Sequence, residues 1–216
     1  MDPLHLCIAM GPLSVYLMLI GWINLSSRPF VTSGTRDLIA LAIALSGLVV
    51  AGPFELFMPE TAAVYFQAWI WPPLISLYLL CATLVAMLMR PRIVVYNVTA
   101  EQLYPVLESA AAELAPEHRW VGHSLVMPQL GVHLNLEQFG PMRNVQLVSV
   151  GGRQDLVAWR RLELELRKGL RDLKVGINPR GFSLLFFGMI MAVLMVYSMV
   201  SQPEEIVASL SDFLRR

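Results

Sequence analysis

The sequence predicts a membrane all-α protein of four transmembrane helices, plus a small α+β two-layer domain inserted between helices three and four. Three observations lead there. Apolar residues gather in four runs of about 20, the length that crosses a bilayer core of roughly 30 Å. Charged residues are only 15% of the 216, against roughly 25% in a soluble domain. A polar stretch between Arg90 and Arg180 separates the last two runs and carries strand and helix patterning of its own.

The first run, Leu4–Leu25, reads as a retained span. No Lys or Arg precedes it and nothing like Ala-x-Ala follows, so it lacks the marks of a cleaved leader. Gly11-Pro12 interrupts its ladder, and Trp22 suits a headgroup boundary. A loop, Ser26–Asp37, holds Arg28 and Arg36.

Span two, Leu38–Met58, places Ala40, Ala44, Gly47 and Ala51 at helical spacing, a face of small residues on which another helix can pack. Gly52-Pro53 weakens its last turns. Glu55 follows, the one acid well inside an apolar run and hence a candidate site, though its place near the span's end suits the headgroup zone. The loop Pro59–Gln67 has no basic residue. Tyr65, Phe66, Trp69 and Trp71 form an aromatic belt, and span three runs from Trp69 to Met89 with Pro72-Pro73 near its start.

Basic residues set the orientation. Arg28 and Arg36 lie in loop one, Arg90 and Arg92 open the polar stretch, and Lys174 and Arg180 close it. By the positive-inside rule both segments face the cytoplasm, leaving both termini outside. The expected domains are residues 1–90 (three helices), 91–178 (cytoplasmic α+β), 179–201 (fourth helix) and 202–216 (an amphipathic helix on lipid or a partner).

Within the polar stretch, Ile93–Val98 is β-branched and reads as a strand. Thr99-Ala-Glu-Gln102 is a capping box before an apolar stripe from Leu103 to Leu114, with Pro105 one turn in. Trp120–Met127, Val132–Glu137 and Asn144–Val150 read as strands. Across Gln154–Lys174, Leu156, Trp159, Leu162, Leu166, Leu170 and Leu173 step by three or four, which makes a helix with a basic end. The order is β-α-β-β-β-α.

Span four, Phe182–Val200, carries Gly188 and Ala192 as a second packing face. Its methionines lack the His or Cys that usually accompany copper-binding thioethers. Cys7 and Cys81, in different runs, read as small buried hydrophobes.

No phosphate loop, dinucleotide fingerprint, zinc-protease helix or nucleophile turn is present. The polar cluster of interest is His123 with His133, Asn135 and Glu137, which shares a sheet face only in one hairpin register. Solvated strand-face side chains are the simpler account. The basic helix Arg160–Lys174 offers contact with anionic headgroups. The sequons at Asn24 and Asn97 would both be cytoplasmic and unmodified.

The expectation is a multi-pass membrane protein, leaning non-enzymatic, with no cofactor. Its α+β domain would bind another protein, a second copy or the bilayer. Zero net charge gives no global case for a nucleic-acid partner. The alternative is a transporter or channel subunit with Glu55 near the pathway.

Overall fold

The computed structural model describes residues 3–54, 67–139, 143–152, 154–201, 203, 204 and 207. In chain order its elements are α1 (Pro3–Leu25), β1 (Phe30–Ser33), α2 (Gly34–Val49), α3 (Trp71–Leu88), β2 (Arg92–Tyr96), α4 (Ala100–Leu114), β3 (Arg119–Val121), β4 (Ser124–Met127), β5 (Val132–Phe139), β6 (Asn144–Ser149), α5 (Leu156–Gly169) and α6 (Arg180–Ser201). The fold is mostly helical with a small antiparallel sheet. It divides into two compact units, one of apolar helix and one built from Gly21–Leu38 and Met89–Phe182.

In the apolar unit, α1, α2, α3 and α6 are each long and apolar enough to cross a membrane. Their large side chains stay largely uncovered, with Leu80 65% and Met87 80% exposed. Such surfaces are compatible with a lipid solvent, since helices satisfy their own backbone bonds.

Close contact within this unit is made at glycine. A Cβ on Gly47 would stand 1.9 Å from the Ile8 carbonyl oxygen, so α2 meets α1 backbone to backbone. A Cβ on Gly188 of α6 would stand 2.9 Å from the Ser14 carbonyl oxygen of α1. Tyr78 of α3 donates its hydroxyl to the Ala42 carbonyl of α2 at 2.5 Å.

Two expected boundaries shift. The second helix begins at Gly34 rather than Leu38, with Asp37 in its first turn, where the helix dipole favours a carboxylate. Its regular part stops at Val49, and a π-helical turn, Val50–Phe54, takes in Gly52-Pro53. Proline cannot donate to the carbonyl one turn back, and the wider turn absorbs the missing bond. Glu55, and nearly all of 202–216, lie outside the described residues.

The second unit is a six-stranded sheet of order β1-β2-β6-β5-β4-β3, every pair antiparallel. It corrects the expected order in two places. Trp120–Met127 is two strands: Val121 pairs with Ser124 across a two-residue turn. Gly122, at φ 63°, supplies the positive angle such hairpins need at their first central position. The second correction is β1. Phe30–Ser33, expected to be loop, pairs with β2 in the register Val31↔Val95. The run Phe-Val-Thr-Ser is short, and its ladder needs a partner far along the chain. The order is therefore β1 first, then β-α-β-β-β-β-α.

One sheet face carries the core. Val31, Ile93, Val95, Leu125, Leu134, Val145 and Leu147 pack with Leu103 and Leu107 of α4 and with Trp159, Leu162 and Leu166 of α5. Alternation along each strand puts these residues on one side. The helix α4 keeps Pro105 inside it, and Gln102 Oε1 accepts the Thr99 N–H at 3.3 Å, one half of the capping box. Asp155 caps α5, accepting from Val157 and Ala158. That helix ends at Gly169 rather than Lys174. A Cβ there would press on Val106 at 2.8 Å, so glycine permits the close passage of α4.

Candidate functional site

The sheet face away from the helices carries His133, Asn135 and Glu137 on alternate positions of β5, where Glu137 pairs with Gln146 and Asn135 with Ser124. His123 does not join them. It sits in the β3–β4 turn, and its carbonyl accepts the Leu136 N–H at 3.2 Å. His123, His133 and Glu137 are all exposed. Among the described residues, no three His, Cys, Asp or Glu side chains are placed to hold a metal. On α2, Ala44 and Gly47 are buried and Ala40 is exposed; Ala51, in the π-helical turn that follows, is partly buried.

A polar seam, absent from the sequence reading, ties loop one to the sheet. Asn97 Nδ2 donates to the Ser26 carbonyl at 2.6 Å, and the Val175 N–H donates to the Ser27 carbonyl at 3.0 Å. Asn178 Nδ2 donates to Asn24 Oδ1 at 3.2 Å. Asn97 sits at φ 58°, a left-handed angle that Asn tolerates better than most side chains. Asn24 and Asn97, the two sequon asparagines, are 0% and 1% exposed, so their amides brace the fold. Asp37 accepts from the Tyr96 hydroxyl and lies 3.9 Å from Arg92.

A groove of about 640 Å³ opens beside β1. Its walls come from the loop after α1 and from α5 with the turn that follows. Arg28, Arg167, Lys168 and Arg171 line it together with Phe30 and Leu164, and among the described residues no carboxylate does. Arg167 donates to Glu163 at 3.0 Å and to the Val31 carbonyl at 3.3 Å, so it covers part of the sheet edge. Lys168 pairs with Glu165 at 2.7 Å, which raises its ammonium pKa. Glu163 also reaches Arg36 at 3.4 Å. Arg28 and Arg171 form no ion pair among the described residues.

A third cluster lies between α4 and β3. Glu108 accepts from His118 Nε2 at 2.9 Å and from the Trp120 indole N–H. The other imidazole nitrogen faces the Ala115 carbonyl at 2.9 Å. With acceptors at both nitrogens the ring favours its charged form, so the His118 pKa is raised, first by Glu108 and then by that carbonyl. Glu108 is lowered by the hydrogen bonds from His118 and Trp120. Tyr104 stacks on Trp120 with ring centroids 4.3 Å apart. His118 was not singled out in the sequence, because its partner is ten residues away across a helix end.

No family model, curated protein or solved structure matches the chain.

Proposed function

We propose that the chain is a multi-pass membrane protein, non-enzymatic, whose α+β unit is inserted between helices three and four and works as a cytoplasmic binding or assembly module. One observation carries this reading. The sheet unit contains the end of α1, the start of α2 and the start of α6, and β2 begins four residues after α3 ends at Leu88. If each apolar helix crosses once, alternation puts those four ends on one side. A single sheet that takes strands from loop one and from the later stretch fits that arrangement. Arg28, Arg36, Arg90, Arg92, Lys174 and Arg180 lie on that side, which argues for the cytoplasm.

Two measurements test it. The protein should stay in membrane pellets after alkaline carbonate extraction; release into the supernatant would remove the membrane reading. A photo-reactive residue placed at His133 should yield a discrete adduct in native membranes, with another protein or a second copy. Absence of any adduct from that face and from β3 would remove the binding-module reading.

A second reading, a transporter or channel subunit, draws on the π-helical turn Val50–Phe54 just before Glu55. Such turns recur at functional sites. If a solute or ion flux is found, Glu55→Gln should abolish it; an unchanged flux would rule the role out.

A further inference from the structure

We infer that the groove beside β1 is a binding site for the headgroup of an anionic phospholipid. The inference rests on the membrane reading above.

Four cations line the groove and, among the described residues, no carboxylate does. Two of them, Arg167 and Lys168, are partly neutralised by Glu163 and Glu165. Arg28 and Arg171 are exposed, come from two segments far apart in the chain and have no ion-pair partner among the described residues. Like charges held across a groove favour an anion between them. Guanidinium groups suit phosphate, which they can grip with two parallel hydrogen bonds.

The floor decides which anion. Phe30 is 47% and Leu164 50% exposed, both large and apolar. Free phosphate gains nothing from such a floor, whereas the glycerol and first methylenes of a phospholipid would cover it. Position argues the same way. Arg28 is the third residue beyond Leu25, where α1 ends, so it lies at most about 11 Å from that helix end. If α1 spans the bilayer, the groove opens at headgroup depth, where basic residues draw anionic lipid.

The test uses the full-length protein in mild detergent, titrated with dioctanoyl phosphatidylglycerol and followed by native mass spectrometry. Dioctanoyl phosphatidylcholine, inorganic phosphate and an oligoglutamate peptide are the comparison ligands. Phosphatidylglycerol should be retained, and the others at least tenfold less. Arg28→Gln should weaken retention about fivefold, and Arg28→Gln with Arg171→Gln about thirtyfold. Leu164→Glu, at an exposed helix position, should weaken it too. Arg161→Gln, an exposed α5 cation outside the groove, should leave it unchanged.

Equal retention of both lipids would overturn the site, as would undiminished binding by the double variant or an equal loss with Arg161→Gln. Preference for phosphate alone, or for the acidic peptide, would also overturn it. Carbonate extraction is scored separately. A protein that resists extraction yet shows no lipid preference loses the groove and keeps the membrane reading.

Discussion

Glycine 47 shows how much one missing methyl group can decide. The Cβ it lacks would stand 1.9 Å from a backbone oxygen of α1, and a backbone oxygen cannot rotate away. Gly47→Ala should therefore push α1 and α2 apart, lowering stability by about 1–3 kcal/mol, as overpacking does. The melting temperature in detergent measures it. Gly52→Ala is the control, because among the described residues nothing lies within 4 Å of its missing Cβ. His118 gives a second prediction at this scale. Its folded pKa is raised, so its contribution is full below the ordinary histidine value and is lost as pH rises through the folded one. Glu108, with a lowered pKa, contributes above the ordinary carboxylate range and loses that as pH falls through its folded value. The pair is worth most between about pH 5 and 6. His118→Gln should lower stability most in that window, by under about 1 kcal/mol since Glu108 is half exposed, and least once pH has passed the raised His118 value; melting temperature against pH measures it. A pH-independent difference would refute the pairing. Single polar residues were the least legible part of the sequence. Asn24, Asn97 and Asn178 have surface chemistry, and only the fold supplies the partners that let them be buried.

Elements with a long internal period could be read directly. In α5, apolar residues every three or four positions fix the buried face whatever lies above it, and Leu162 and Leu166 are indeed 0% exposed. A four-residue strand has no such redundancy. Phe30–Ser33 acquires its conformation from β2, and nothing local distinguishes it from a polar loop. The groove was invisible for the same reason, since Arg28 and Arg171 line one groove only once β1 is placed. A substitution tests the element itself. Val31 is 5% exposed and joins the core, while Phe30 beside it is 47% exposed. Val31→Asp should cost roughly 3 kcal/mol by burying an unpaired carboxylate. Phe30→Asp should be tolerated. Equal effects on denaturant midpoint would mean that the segment is a loop.

For the whole molecule, the sidedness of the sheet unit is the property that most constrains function. Gln129 is exposed in the short turn between β4 and β5. With Cys7 and Cys81 replaced by Ser, a Gln129→Cys chain in intact cells should resist an impermeant maleimide and react after permeabilisation. Labelling before permeabilisation would invert the topology and move the unit outside. The existence of four apolar runs was legible because crossing a bilayer demands length and hydrophobicity that few other roles require. Orientation leaves only a scatter of arginines, a weaker signature, which is why it needs this experiment.

The first strand also sets an order on biosynthesis. Phe30–Ser33 leaves the ribosome ahead of α2 and α3, while its neighbour β2 emerges after them. The sheet therefore cannot form until α2 and α3 have been made, and β1 is the strand that then covers the margin of β2. A fragment limited to residues 89–182 would keep that margin bare for good. It should oligomerise on size-exclusion chromatography, and a synthetic peptide of residues 26–34 should return it to a monomer.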